Sequence, residues 1–274
     1  MDQERLIMDV SITEYEVNKS FTFAEELHDK KAASNKQFGR PDILRRRNDY
    51  IADHVIGKVV EFGFRRFLEE NFNISFSVDL TVWDDPHVHD NGHDMAVVNI
   101  DGKERPFRLK TDIKGSRSSS KWLLVEKQKM TDFDTKIYVI GILSNMPDGK
   151  DFENDPYKFR GHDWRVSILG YALNRDLVDP ETRKGWIEYK AGERLYNPQL
   201  IKNLRGKNNN VISNHRSFQG NLTRLINDAP GGSHKHIGPK LDCAVNYGLP
   251  IEWLRNTPED WTKFAKIVHE HSSS

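Results

Sequence analysis

The stretch KIYVIGIL at residues 136–143 is a nearly continuous apolar run. Its length and β-branched content read as a strand buried on both faces, and such a strand has to lie inside a sheet covered by other layers. Residues 49–71 read as a helix that packs one side on a core. Ile51, Val55 and Val59 recur at every fourth position beside Ile56, Val60, Phe64 and Phe67, while Lys58, Glu61 and Arg65 fall on the other side. Between helix and buried strand, ISFSVDLTVW places Ile74, Phe76, Val78, Leu80 and Val82 on one face at period two, and the histidine-rich DDPHVHDNGHD forms a loop. Residues 94–100 read as a second strand, DGKERP as a hairpin connection, and residues 107–114 as a third strand. In the third strand Phe107, Leu109, Thr111 and Ile113 face one way, and Arg108, Lys110, Asp112 and Lys114 the other.

The rest of the chain is less sharply patterned. Residues 1–40 read as one or two polar helices, 121–130 as either helix or strand, and the core sheet is expected to end with 136–143 or shortly after. WRVSILGYALNRDLV is apolar without a decisive period, IEYKAGERLY resembles a small hairpin turning at Ala191 and Gly192, and residues 258–269 read as a closing helix. Neither an internal repeat nor a long linker is visible. The simplest organisation is one domain over 1–274, with its core at about 50–143 and an elaboration over about 160–240. No apolar stretch approaches the roughly 20 residues of a membrane span. A single cysteine, Cys243, and an N-terminus without basic and apolar leader regions point to the cytoplasm.

Acid-x-lysine occurs six times, at Asp29–Lys31, Asp101–Lys103, Asp112–Lys114, Asp134–Lys136, Asp148–Lys150 and Glu188–Lys190. Context separates the third. Its two side chains share the polar face of a strand, a neighbouring strand begins at Asp94, and a helix bearing Glu61 precedes both. Carboxylates that converge at adjacent strand ends repel one another unless a divalent cation sits between them. Hard oxygen ligands suit Mg²⁺, which retains waters that a substrate phosphate can replace. A lysine on the same side can orient or deprotonate a metal-bound water and stabilise the charge of a phosphorane-like transition state. The bland alternatives are an ordinary surface pair at Asp112 and Lys114, and surface ion pairs of Glu61 with Lys58 and Arg65 worth about 0.3–0.5 kcal/mol each. His87, His89 and His93 suggest zinc instead, but no distant histidine motif completes a zinc spacing.

In the helix glutamate of GKVVEFGF, the first acid of GHDMAVV and the acid-x-lysine of LKTDIKGS, the chain resembles the PD-(D/E)xK superfamily of restriction-endonuclease-like nucleases. The resemblance spans roughly residues 50–143. The proline that precedes the first acid in that motif is replaced by His93. The resemblance implies an α/β, restriction-endonuclease-like fold, a mixed central sheet flanked by helices, with a C-terminal recognition elaboration. It implies Asp94 and Asp112 as metal ligands with the carbonyl of Ile113, Lys114 as the water-activating or charge-stabilising base, and Glu61 as an orienting or second-metal group.

Formal net charge is zero, so bulk charge does not coat this protein with nucleic acid, but residues 201–240 carry seven lysines and arginines against Asp228 alone. Within LRGKNNNVISNHRSFQGN, Arg205, Lys207, Asn208, Asn209, Asn210 and Arg216 suit DNA, because arginine pairs bidentately with guanine and asparagine with adenine. A solvated polar loop is the alternative, and RRR at 45–47 is either a phosphate contact or a solvated face. The expected activity is Mg²⁺-dependent hydrolysis of double-stranded DNA by a sequence-specific type II restriction endonuclease, leaving 5′-phosphate ends. A homodimer is expected because two-fold symmetry matches a palindromic site. The competing readings are a repair, defence or phage nuclease of the same fold with little sequence preference, and a non-catalytic DNA-binding protein.

Overall fold

The computed structural model describes residues 9–31, 36–37, 40–44, 46–82, 92–117, 120–146, 149–176, 186–192, 194–196, 237–241 and 244–272. In chain order its elements are β1 (Asp9–Ile12), α1 (Glu14–Lys31), β2 (Lys36–Gln37), β3 (Arg40–Leu44), α2 (Arg47–Phe72), β4 (Ile74–Phe76), β5 (Val97–Ile100), β6 (Lys103–Pro106) and β7 (Thr111–Arg117). There follow β8 (Trp122–Glu126), α3 (Lys127–Asp132), β9 (Ile137–Leu143), α4 (Gly149–Asn154), β10 (Trp164–Leu173), β11 (Ile187–Tyr189), β12 (Arg194–Tyr196), β13 (Ile237–Lys240), β14 (Asn246–Pro250) and α5 (Pro258–His271).

The main sheet has the order β1-β10-β9-β7, with β7 and β9 parallel and the other pairs antiparallel, so it is a mixed sheet. Strand β9 is covered on both faces, as its composition requires. Ile137, Val139 and Leu143 enter one core with α1, α2 and α5, while Tyr138 and Ile140 enter a second with Leu123, Val125, Trp186 and Leu249. Smaller sheets are β4-β5-β6, β11-β14-β8, β12-β13 and β2-β3. The protein is therefore a mixed α/β structure whose one mixed four-stranded sheet is packed against helices.

Several expectations need correction. The sheet does not end at β9, because β10 lies beside it as an inner strand. The two apolar faces of residues 164–173 both find a core, which erases the period that would have identified a strand. Residues 103–106 are not a connection but the second arm of a hairpin with β5. The turn is Asp101–Gly102, both at positive φ (54° and 78°), the aspartate–glycine pair that a tight hairpin favours. The strand containing Asp112 begins at Thr111 rather than at 107, and it pairs with β9 rather than with the strand following Asp94. Strand β4 stops at Phe76, where its pairing with β5 ends at Val98, and beyond it the Asp79 carboxylate takes the Thr81 N–H. Residues 187–196 are not a hairpin: β11 pairs with β14 and β12 with β13.

Helix α2 lies against the sheet where side chains are missing. A methyl group at Gly115 of β7 would stand 2.8 Å from the Ile56 carbonyl oxygen and 2.9 Å from the Gly57 Cα. At Gly141 of β9 it would meet Val60, and at Gly63 of the helix it would meet Val166 of β10, each at 2.7 Å. The helix C-terminal half is tied to α1 by Glu16, buried and bonded by Arg65 (2.6 Å) and Arg66 (3.0 Å). The same half carries Phe64 and Phe67 against Trp261 and Phe264 of α5. That last helix opens with a capping box between Thr257 and Asp260.

Two glycines in van der Waals contact thus have opposite predicted tolerances. Gly115→Ala forces backbone apart and is expected to destabilise by about 1–3 kcal/mol. Gly57→Ala points a methyl into open space within a helix and is expected to stabilise by up to ~1 kcal/mol. Urea midpoints of the two variants check the pair.

Candidate active site

Strand β7 is an edge of the four-stranded sheet, and the site is built on that edge. Alternation turns Thr111, Ile113 and Gly115 toward α2, and the first two are buried there. It leaves Asp112 and Lys114 half-buried on the opposite face, where the Lys114 ammonium lies 2.7 Å from an Asp112 carboxylate oxygen. Asp134 and Lys136 also pair, but with Asp134 71% exposed against 19% for Asp112. The Asp112 pair stands beside further acids, Asp94 and Glu61.

Asp94 reaches the same edge from a turn just before β5, not from the strand itself. Its Oδ2 accepts the Ile113 N–H at 2.6 Å, and its own N–H donates to the Thr111 carbonyl at 2.9 Å. In a strand the N–H and C=O of one residue point to the same side, so the Ile113 carbonyl shares this edge with Asp94. His93 fastens the turn. Its Nε2 bonds the Phe107 carbonyl at 2.8 Å, so it donates, and its Nδ1 accepts the Thr111 N–H at 3.3 Å. Burial, and the nearby Lys110 charge after it, pull the imidazole below its ordinary pKa. Both ring nitrogens are occupied, which removes His93 from a zinc site; His87 and His89 lie outside the described residues.

Glu61 comes from α2 and is buried rather than on the helix surface, with Lys58 Nζ 2.9 Å from its Oε2. Asp94 registers this company. Burial pushes its carboxyl well above the ordinary aspartate range, and the charges of Glu61 and then Asp112 push it further, against the Ile113 hydrogen bond and Lys58. Thus Asp94, Asp112, Lys114, Glu61 and Ile113 are brought together, and Lys58 joins them. The sequence set Lys58 on the polar side of its helix; its signal was the i, i+3 spacing to Glu61, shared with ordinary surface pairs.

The donors are hard oxygens of modest number. Among the described residues no three His, Cys, Asp or Glu side chains form a ready-made cage for an ion. Two carboxylates with a main-chain carbonyl fit a cation such as Mg²⁺ that keeps several waters, and the raised pKa of Asp94 marks where positive charge is wanted.

Arg205, Lys207, Asn208, Asn209, Asn210 and Arg216 lie outside the described residues. Of the 45–47 run, Arg46 pairs with Asp49 at 2.8 Å, and Arg47 reaches Tyr157 and, at 3.9 Å, Asp29. Among the described residues no helix is long and apolar enough to cross a membrane. Neither a family model, nor a curated protein, nor a solved structure matches the chain.

A raised carboxyl pKa has a definite linkage sign. An unfolded aspartate releases its proton near pH 3.9, whereas folded Asp94 holds it to a higher pH. Across that interval the folded state binds more protons, so Asp94 costs stability as pH rises, and the cost is complete above the folded pKa. In EDTA, Asp94→Asn is therefore expected to raise Tm, with a gain that grows as pH rises above the ordinary aspartate range and narrows as pH falls back toward it. A variant less stable than wild type throughout would mean that the ionised carboxylate is favoured here.

Proposed function

We propose that the chain is a Mg²⁺-dependent endodeoxyribonuclease with a restriction-endonuclease-like fold. The observation that carries this reading is the convergence of Asp94, Glu61 and the Asp112–Lys114 pair on one free strand edge, at a spot where burial and like charge disfavour an ionised Asp94. The mixed sheet with α2 against it supports the same reading.

Asp94, Asp112 and the Ile113 carbonyl would hold the ion, which supplies Lewis-acid polarisation of the phosphate and a more acidic bound water. The main-chain bonds of Asp94 to Thr111 and Ile113 fix its carboxylate without a search among rotamers. Lys114, 39% exposed and already directed at Asp112, is the group able to orient the attacking water and to stabilise negative charge on the phosphoryl oxygens. Water attacks phosphorus in line, the bond to the 3′ oxygen breaks, and 5′-phosphate and 3′-hydroxyl ends result. Glu61 sets the negative field next to Asp94.

Within this activity we read a sequence-specific type II restriction enzyme acting as a homodimer on double-stranded DNA, with the basic, asparagine-rich segment around Arg205 and Arg216 reading bases. Digestion of a long mapped DNA with Mg²⁺ tests it. Discrete bands ending in 5′-phosphate are expected. A smear would replace restriction by a nuclease of low specificity, and binding without cleavage in Mg²⁺ or Mn²⁺ would leave a DNA-binding protein.

Asp112→Asn and Lys114→Ala are each expected to slow cleavage by about 10²-fold or more, while DNA affinity measured in Ca²⁺ changes only a few-fold. Full activity in either variant removes the site. Arg205→Ala or Arg216→Ala is expected to weaken specific binding by about 1–3 kcal/mol, read by competition between cognate and random duplexes.

A further inference from the structure

We propose that Lys58 is a positioning residue of this centre, the partly buried counter-ion that keeps Glu61 at the carboxylate cluster; the proposal rests on the reading of that cluster as a metal site. Lys58 and Glu61 lie one turn apart on α2, with their side chains only 12% and 8% exposed. The surface pair Lys266–Glu270 on α5 is 74% and 55% exposed. The Lys58 ammonium also sits 4.9 Å from the centroid of the Phe23 ring, itself buried on α1, so two separate helices fix it. Its charge is felt by Asp94 as well as by Glu61.

A buried ion pair seldom stabilises a fold more than apolar side chains of similar volume would. The Lys58–Glu61 pair therefore needs another reason, and its neighbours supply one. Glu61, Asp94 and Asp112 gather three acids at one strand edge, and Lys58 and Lys114 each bond one of them. With Lys58 in place, Glu61 stays beside Asp94 as a partly neutralised carboxylate, so the cluster keeps its shape before a cation arrives. Lys58 acts through Glu61 and has no separate ligand role.

This arrangement predicts an order of effects that a packing role cannot produce. Glu61→Gln removes the negative charge that the Lys58 ammonium bonds. Lys58→Met in that background removes the matching positive charge. With Mn²⁺ as the probe and calorimetry on the full-length protein, Glu61→Gln is expected to weaken binding at least tenfold. The double variant K58M/E61Q is expected to recover at least threefold of that loss, and K58R to stay within threefold of wild type. The double variant removes both members of the pair, so the comparison survives even if K58M alone fails to fold. A double variant that binds Mn²⁺ no better than E61Q overturns the proposal, as does an E61Q protein with wild-type affinity. DNA cleavage by the same samples separates the two readings. Wild type that binds Mn²⁺ but cuts no DNA ends the nuclease assignment and leaves the Lys58 result standing on its own, whereas wild type that binds no Mn²⁺ overturns both.

Discussion

The close approach of helix α2 to strand β7 sets the geometry of the carboxylate cluster in this protein. It exists because residue 115 has no side chain: any Cβ there would collide with the main chain of Ile56 and Gly57. Glu61 is one helical turn beyond Gly57, so the contact that permits packing also delivers a carboxylate to the strand edge. The same strand supplies the Ile113 N–H that Asp94 accepts and the Asp112–Lys114 pair. A wider spacing would leave Glu61 on an ordinary helix surface, where its pair with Lys58 would be screened and of little consequence.

Once gathered, the acids oppose one another and burial opposes them further. Main-chain geometry holds them in spite of this. Asp94 is gripped by two backbone bonds, and His93 next to it by two more, so four hydrogen bonds to the segment 107–113 fix one turn. The two lysines offset part of the repulsion. Asp94 bears the consequence: burial first, then the charges of Glu61 and Asp112, raise its pKa against the Ile113 hydrogen bond. Strain of this kind at a carboxylate cluster is what a cation relieves, and structural ion pairs such as Glu16 with Arg65 and Arg66 show the opposite arrangement. There burial is overcome by hydrogen bonds from Thr13 and Arg66, and the carboxyl pKa falls.

Much of this was legible in the sequence wherever one residue's environment follows from its neighbours. The helix from Arg47 to Phe72, the buried strand Ile137–Leu143 and the alternation that separates Ile113 from Asp112 all come from local periodicity. The pairing partners did not, because they depend on loop chemistry and on distant strands. The Asp101–Gly102 turn was a hairpin signal passed over in favour of a longer connection, which shifted one strand from residues 103–106 to residues 107–114. Strand β10 was hidden because both its faces are covered, and the burial of Glu61 because a polar helix face carries no mark of whether water or a second polar layer lies against it.

On the proposed reading, His93 stands where a restriction-endonuclease-like motif has proline, and it restricts the turn by different physics. A proline before the first acid restricts the chain by fixing its own φ and constraining the residue before it. His93 restricts the same turn from its side chain, donating to Phe107 and accepting from Thr111 across the entrance to β7. A neutral imidazole with its proton on Nε2 is needed for both bonds, and burial favours that neutral form. Sequence comparison at this position would count a mismatch. In the folded chain His93 secures the turn from which Asp94 reaches the Ile113 N–H, so it is one of the reasons the cluster can assemble.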